Sequence, residues 1–533
     1  MDNLNQTVIG KDVIESLTLG MYEDARIIYR EYIQNSADQI DKAVKQGILD
    51  SIVDGNIWID IDKTNRQIII EDNATGIAKK NAVSILKNIA QSTKQRGIDK
   101  GFRGIGRLGG LAYCDKLIFE TSYKGEDCKT IIEWDAKLLK FIINNRHNKE
   151  SASEVIDKIT YVSFFSEKSE KHYFKVTLLN VSNDDLLDVA EIRNYLSMVA
   201  PTKIHPKFTL LSKIKENINS HGFDYDTYNI SVNSNEIYKD YTSSIYEFVG
   251  NDKRKIDEIK DIVFFKQNAL DGELLFWGWY GVWSFSKQIP EKANPARGLR
   301  LRKNNIQIGD EYCLVKLHKE ARGNFYYFGE IHAVHPELIP NARRDYFLEN
   351  SYLKEFENYL VDYFKELYSS YYLSSKVRSS LRDISKLDEI NAQIKEKEQQ
   401  GYKSHQEKDT LLKTLREHEE KAEKAKKELV KIAENAKGHE VKERVINTLI
   451  NLDNLNSISK PIGTKPNTPE SPKPESDKPK IIFIDDNSLP RQSKEERKLI
   501  KRVFDVVDSC LVDKVLVESI RFKIIEEFNK VKS

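Results

Sequence analysis

Residues 31–38 read Glu-Tyr-Ile-Gln-Asn-Ser-Ala-Asp. On a helix, the step from 31 to 35 advances about 40° around the axis, and the step from 35 to 38 falls back about 60°. Glu31, Asn35 and Asp38 then share one stripe. An acid, an amide and a second acid so placed suit hydrolysis of a bound nucleotide. A carboxylate orients and deprotonates a water. An amide oxygen ligates magnesium, which keeps several waters and the substrate phosphates as its other ligands. Glu31 fits the first task and Asn35 the second. Taken alone, such an octapeptide is more often an ordinary solvated helix face.

Two further segments follow. Asp72-Asn-Ala-Thr-Gly76 comes after three isoleucines, at the end of an apolar strand. A carboxylate at the rim of an apolar sheet can accept from an exocyclic amine such as adenine presents, and Gly76 lets the backbone approach a flat base. Gly101-Phe-Arg103-Gly104-Ile105-Gly106 frees a loop to wrap phosphates with its N–H groups. A helix starting near Leu108 would aim its N-terminus at the same charge. Thr93, Lys94, Arg96, Lys100, Arg103 and Arg107 surround the loop and favour an anion; the polar segment 92–104 reads as a mobile lid. The loop lacks the Gly-Lys-Ser/Thr of a Walker A sequence. It does not follow the first strand directly, as a dinucleotide fingerprint would. Each segment is weak evidence alone; the three in this order within 106 residues read as a site that binds and hydrolyses a nucleotide.

The elements that must hold these residues are legible in the periodicity. Residues 12–50 read mostly helical, with Ile28, Tyr29, Tyr32, Ile33 and Ile40 recurring near 3.6. Residues 56–62 and 67–71 alternate as two strands joined by the turn Lys63-Thr-Asn-Arg66. Residues 77–95 read helical, and strands are expected at 116–121, 130–135, 161–165 and 174–179. This is an α+β block with helices on one mixed sheet. A second α/β block follows, with the aromatic run 276–283 best read as a buried strand, the strand 298–303 and a closing helix at 352–370. Leu411, Leu415, His418, Ala422, Ala425, Leu429, Ile432 and Ala436 keep 4-3 spacing; with Val377, Leu381 and Ile384 they predict a helical hairpin or coiled coil bent at Gly401. Residues 459–480 are rich in Pro, Lys and Ser and cannot bury a core. A small tail follows, with a short strand at Ile481–Ile484 and two amphipathic helices in 494–531.

Bulk properties narrow the function. The 533 residues exceed one core, and a net charge of +1 gives no general pull toward nucleic acid or membrane. Four scattered cysteines without a CxxC pair argue against a zinc site or a disulfide framework and fit a reducing cytosol. Neither a signal peptide nor a membrane span is expected. No histidine precedes His147, so a phosphorylatable histidine ahead of the nucleotide motifs is missing.

The set Glu31/Asn35/Asp38, Asp72/Gly76 and Gly101/Gly104/Gly106 resembles the GHKL superfamily, and the phrase at 31–38 is most similar to its 90-kDa heat-shock chaperone and MORC branches. The resemblance implies a Bergerat ATP fold over residues 1–190. It implies that Glu31 activates water, that Asn35 binds Mg2+, and that Asp72 takes the adenine amine. Asp38, Gly76, Thr93, Lys94, Gly101, Arg103, Gly104, Ile105 and Gly106 complete the implied ATP contacts. Residues 191–370 would be a middle, transducer-like domain. There, Glu337-Leu-Ile-Pro-Asn-Ala-Arg343-Arg344-Asp345 is similar to a chaperone loop whose arginine reaches the γ-phosphate, with Arg344 as counterpart and Lys303 a second candidate. One departure stands out: Phe174 occupies the place of an adenine-side threonine, and Thr177 points to the other strand face. Residues 371–455 would be the coiled coil, 456–480 a linker and 481–533 a small helical module.

The expected protein is a slow, Mg-dependent, cytoplasmic ATPase. It would work as a homodimeric clamp, closing through its N-terminal region and coiled coil on a protein or DNA client. The alternative is a nucleotide-gated scaffold, or a subunit of a bacterial defence or DNA-processing system, with little turnover.

Overall fold

A computed structural model describes residues 9–18, 20, 24–89, 104–145, 147, 149–450, 493–511 and 514–530. The chain divides into two compact units, residues 1–369 and 370–533.

The first unit opens with helices α1 (Asp12–Thr18) and α2 (Ile27–Lys45). Strands β1 (Asn56–Asp62) and β2 (Gln67–Asp72) form the expected hairpin. Helix α3 (Lys79–Lys87) follows, and a 3-10 turn (Gly106–Ala112) leads into β3 (Lys116–Ser122) and β4 (Cys128–Asp135). Helices α4 (Ala136–Asn144) and α5 (Ala152–Ile159) precede β5 (Thr160–Ser166) and β6 (Tyr173–Leu179). Next come α6 (Val189–Val199), α7 (Leu211–His221), β7 (Asn229–Val232) and β8 (Asn235–Glu236). The eight strands make one mixed sheet in the order β5-β4-β3-β6-β2-β1-β7-β8, with β7 parallel to β1. Residues beyond 190 therefore contribute to the first sheet.

Strand alternation decides which side chains face the helices. Ile57, Ile59 and Ile61 of β1 and Ile68 and Ile70 of β2 are buried, and α2 lays Ile28, Tyr29, Tyr32, Ile33, Ala37 and Ile40 into the same core. The same alternation carries Asp72 inward, because it follows Ile68 and Ile70 at steps of two. An acid thus enters an apolar layer by register alone.

The rest of this unit is built on a second sheet. A hairpin, β9 (Ser244–Val249) and β10 (Asp252–Glu258), is followed by β11 (Asp261–Asn268), β12 (Leu274–Val282), β13 (Gly298–Lys303), β14 (Ile306–Gln307) and β15 (Phe328–Ala333). The five-stranded order is β11-β12-β15-β13-β14. The aromatic run is core strand β12, with Trp277, Trp279 and Tyr280 fully buried. The start of the 50-residue helix α8 (Ser351–Gln400) packs Phe356, Leu360 and Phe364 inward.

This sheet buries charge as well as aromatic surface. Glu330 Oε1 pairs with Lys239 Nζ at 2.7 Å and Arg302 Nε at 2.5 Å, and accepts from Tyr241 Oη at 2.5 Å. His332 Nε2 lies 3.1 Å from Oε2. Burial opposes ionisation of Glu330, but the charges of Arg302 and Lys239 outweigh it and hold the carboxyl well below the ordinary range. Arg302 also donates to the Met198 carbonyl at the end of α6, joining this cluster to the first domain's helices.

In the second unit, α8 continues to Gln400, Gly401 turns the chain with φ +98°, and α9 (His405–Ala436) returns. With α10 (Glu440–Leu449) they bury Val377, Leu429, Ile432, Ala436, Ile446 and Ile450 together. Helices α11 (Lys494–Cys510) and α12 (Lys514–Lys530) meet through Ile500, Phe504 and Ile525. Among the described residues, no helix is long and apolar enough to cross a membrane. The linker 459–480 and the strand expected at Ile481–Ile484 lie outside the described residues.

Three local expectations are corrected. The helical stretch 12–50 is two helices with a break, α3 stops at Lys87, and the segment after Gly106 is 3-10 rather than α-helical. Gly109 and Gly110 supply the last reason, since glycine is among the weakest helix formers.

The buried cluster carries a prediction. Glu330→Gln leaves the buried Arg302 guanidinium without its anion and should cost about 3–5 kcal/mol of stability. Denaturant unfolding followed by Trp fluorescence checks this; a change under about 1 kcal/mol would contradict it.

Candidate active site

Glu31 is where three parts of the first unit meet. Arg344 Nε lies 3.3 Å from Glu31 Oε1, and the two side chains are only 10% and 12% exposed. On the other side, a Cβ added to Gly106 would lie 2.1 Å from Glu31 Oε2. Only glycine allows that approach. One residue earlier on α2, Arg30 Nη2 donates to the Arg343 carbonyl at 3.1 Å. Consecutive residues of α2 thus grip consecutive residues of a loop more than three hundred positions away.

That loop is held in a form suited to the contact. An antiparallel bridge joins Pro340 to Phe347. The Asn341 amide donates to the Tyr346 carbonyl at 2.9 Å, and the Gly309 amide to the Arg344 carbonyl at 2.8 Å. Arg344 sits at φ +56°, a left-handed conformation uncommon for a side-chain-bearing residue. Such strain persists only where the surroundings over-determine it, and it gathers at functional sites. Lys303 serves the same loop from behind. Its Nζ donates to the Val334 carbonyl at 2.8 Å and the His335 carbonyl at 2.7 Å, at the loop's leading stem. Burial pushes this ammonium down to about 8.

At the other end of the site, Asp72 is fully buried. Ser36 Oγ donates to its Oδ2 at 2.7 Å and the Ala74 amide to its Oδ1 at 3.1 Å. Burial raises its carboxyl to about 7, against the pull of those hydrogen bonds. Gly76 has φ +64°, and a Cβ there would sit 1.8 Å from the Ser122 carbonyl oxygen. Thr121 Oγ1 accepts from the Ile77 amide at 2.8 Å and donates to the Tyr173 carbonyl at 3.0 Å, pinning the turn that follows Asp72. Phe174 stands opposite Asp72 in the ladder, and Thr177 opposite Ile69, on the other face.

Of the remaining candidates, Asp38 is buried and Asn35 half-buried, both on α2. Gly104 has φ +68° and Ile105 is buried beside it. Thr93, Lys94, Gly101 and Arg103 lie outside the described residues. Four residues escaped sequence reasoning. Ser36 and Arg30 adjoin named residues but lie off their stripe. Thr121 is traceable by alternation from the buried Leu117 and Phe119. Arg107 counted only as a nearby charge, yet its guanidinium donates to the Gly104 and Asn88 carbonyls.

The residues fit magnesium-bound nucleotide. Gln34 Oε1 and Arg30 Nε are buried without a hydrogen-bond partner among the described residues, on consecutive turns of α2. No group of three or more His, Cys, Asp or Glu among the described residues is placed to hold a metal. A magnesium here would be held by Asn35 with phosphates and waters, as that hard cation prefers.

The raised carboxyl of Asp72 predicts a pH-sensitive site. Its folded carboxyl titrates near 7, so it becomes protonated as pH falls through that value and turns into a poorer acceptor for an amine. Adenine-nucleotide affinity should fall up to about tenfold between pH 8 and pH 6, and Asp72→Asn should bind weakly at both. Calorimetric titration of both proteins at each pH checks this; equal slopes would remove Asp72 as the cause. The same shift makes folding less favourable as pH rises from about 4 to about 7, because the unfolded chain has by then released that proton.

Comparison with known proteins agrees with this geometry. The family described as histidine kinase-, DNA gyrase B-, and HSP90-like ATPase matches residues 28–166. The chaperone protein HtpG of Coxiella burnetii is 26% identical over 189 residues, 30% of this chain and 30% of that protein. HtpG of Wigglesworthia glossinidia brevipalpis is 26% identical over 223 residues, 38% of this chain and 33% of that protein. HtpG of Burkholderia lata is 29% identical over 143 residues, 24% of this chain and 23% of that protein. The chain thus matches a third or less of each relative's length. With its mixed sheet, its acid-amide-acid helix and its glycine loop, the region 28–166 is a GHKL-type ATPase domain, similar to that of the 90-kDa heat-shock chaperones.

Proposed function

We propose that this protein is a slow Mg-dependent ATP hydrolase whose active centre is shared between two domains of one chain, working as a chaperone-like clamp. The observation that carries the reading is the meeting of Glu31, Gly106 and Arg344.

In this reading Asp72 accepts from the adenine amine, and Gly76 gives the base room. The amides around Gly104, Ile105 and Gly106 face the phosphates, with Thr93, Lys94, Gly101 and Arg103 completing that side. Asn35 holds magnesium, which when bound neutralises phosphate charge and fixes the phosphate geometry. Asp38, one turn on, supports that end of α2. Glu31 takes the proton of the attacking water. Arg344 offers a planar guanidinium to the charge that spreads over the γ-phosphate oxygens. Without that phosphate, it faces Glu31. Lys303 contributes by holding the stem of the loop.

Because Arg344 comes from the second domain, hydrolysis would require that domain in place, and turnover would follow closure rather than bond breaking. A homodimer closing through its N-terminal regions, with the helical second unit as a further contact, fits this scheme. The relatives carry the name chaperone, and the net charge of +1 gives no general attraction to nucleic acid. We therefore favour a protein client and a cytoplasmic setting.

Phosphate release and ATP binding, measured in parallel, test the assignment. Glu31→Ala should retain ATP affinity within about threefold and lose at least about a hundredfold in turnover. Hydrolysis equal to wild type would remove Glu31 as the base. Duplex DNA added across a salt series separates the client classes, since a DNA clamp would bind with steep salt dependence.

A further inference from the structure

We propose that Arg107 is a positioning residue that sets the glycine cradle for the nucleotide phosphates, acting through the backbone and not on the phosphate; this rests on the reading of the site as an ATP site. Arg107 follows Gly106 directly. Its Nη1 donates to the Gly104 carbonyl at 2.5 Å, and its Nη2 donates to the carbonyl of Asn88, the residue that ends α3. Its own carbonyl accepts from Tyr32 Oη at 3.0 Å. Tyr32 is buried on α2, next to Glu31, and Gly110 leaves room for its hydroxyl, since a Cβ there would lie 2.5 Å away. One residue therefore ties together the end of α3, the glycine cradle and the helix of the base.

The chemistry of the side chain explains why it is an arginine. A guanidinium is a rigid planar fork that donates in two directions at once; a lysine ammonium is a compact point charge on a flexible stem. Holding two carbonyls from separate segments needs the fork. A phosphate ligand would instead turn its terminal nitrogens to the anion. Here both terminal nitrogens are on carbonyls, and Nε is buried without an acceptor among the described residues. Burial lowers this guanidinium only to about 10, so it stays charged at neutral pH and its bonds to the two carbonyls are charge-assisted. The cradle matters because Gly104 is held at φ +68° and Gly106 lies against Glu31. A slack cradle would misplace the phosphates relative to the base.

Arg107→Lys and Arg107→Ala in the full chain test this with two readouts. The first is amide hydrogen exchange across 104–113 in nucleotide-free protein. The second is affinity for ATP, ADP and adenosine. We expect both variants to speed exchange about tenfold, to bind ATP and ADP about tenfold more weakly, and to keep adenosine within twofold. Retained adenosine binding shows that the fold survives. Wild-type ATP affinity in the lysine variant would overturn the proposal, because a point charge would then suffice. Unchanged exchange in the alanine variant would also overturn it. If the wild type itself bound no ATP, the nucleotide reading would fall, while the exchange arm would still decide whether Arg107 holds the cradle.

Discussion

The contact on which this molecule turns is the pairing of a carboxylate on the first domain's main helix with a guanidinium on a loop of the second. Glu31 and Arg344 are both nearly buried, and their side chains face each other at 3.3 Å. A buried charge left without its partner is expensive. The pair can therefore be made only if α2 and the 340–347 loop are both held in place. Much of the first unit follows from that demand. The apolar face of α2 locks it to the sheet. The loop is closed by its own bridge, braced by Lys303 and forced through a left-handed arginine. Beneath it, the Glu330 cluster ties the second sheet to the end of α6 through Arg302 and Met198.

The two ends of the site are built on different principles. The end proposed for adenine belongs to one domain: Asp72, Ser36, Gly76 and Thr121 are fixed by register in a single sheet and one helix packed on it. In the proposed reading the phosphate end is assembled from two domains, so that binding would be set by the first domain alone and hydrolysis by the position of the second.

Much of this was legible in the sequence because it rests on short-range rules. The stripe of Glu31, Asn35 and Asp38 follows from 3.6 residues per turn. The inward turn of Asp72 follows from period two along β2. The loop arginine stood out by resemblance, and the structure brings it to Glu31. What sequence could not give is contact between segments with no periodic relation. The double grip of Arg107 on Asn88 and Gly104, Arg30 on the Arg343 carbonyl and Lys303 on two carbonyls are all side chain to backbone, where the partner's residue type carries no signal. The strand β7 was equally hidden: parallel pairing with β1 needs a long crossover, and no local pattern announces it. The long α8 was read short because its apolar spacing changes where it leaves one core for another.

The central claim is that Glu31 and Arg344 act as one catalytic unit, and a double-mutant cycle measures that most directly. Single-turnover ATP hydrolysis would be followed in wild type, Glu31→Ala, Arg344→Ala and the double variant, at saturating Mg-ATP. Groups that act as a unit are strongly non-additive. The account predicts a double variant no slower than the slower single variant, within about threefold. Losses that multiply would contradict it, because the two residues would then be working independently.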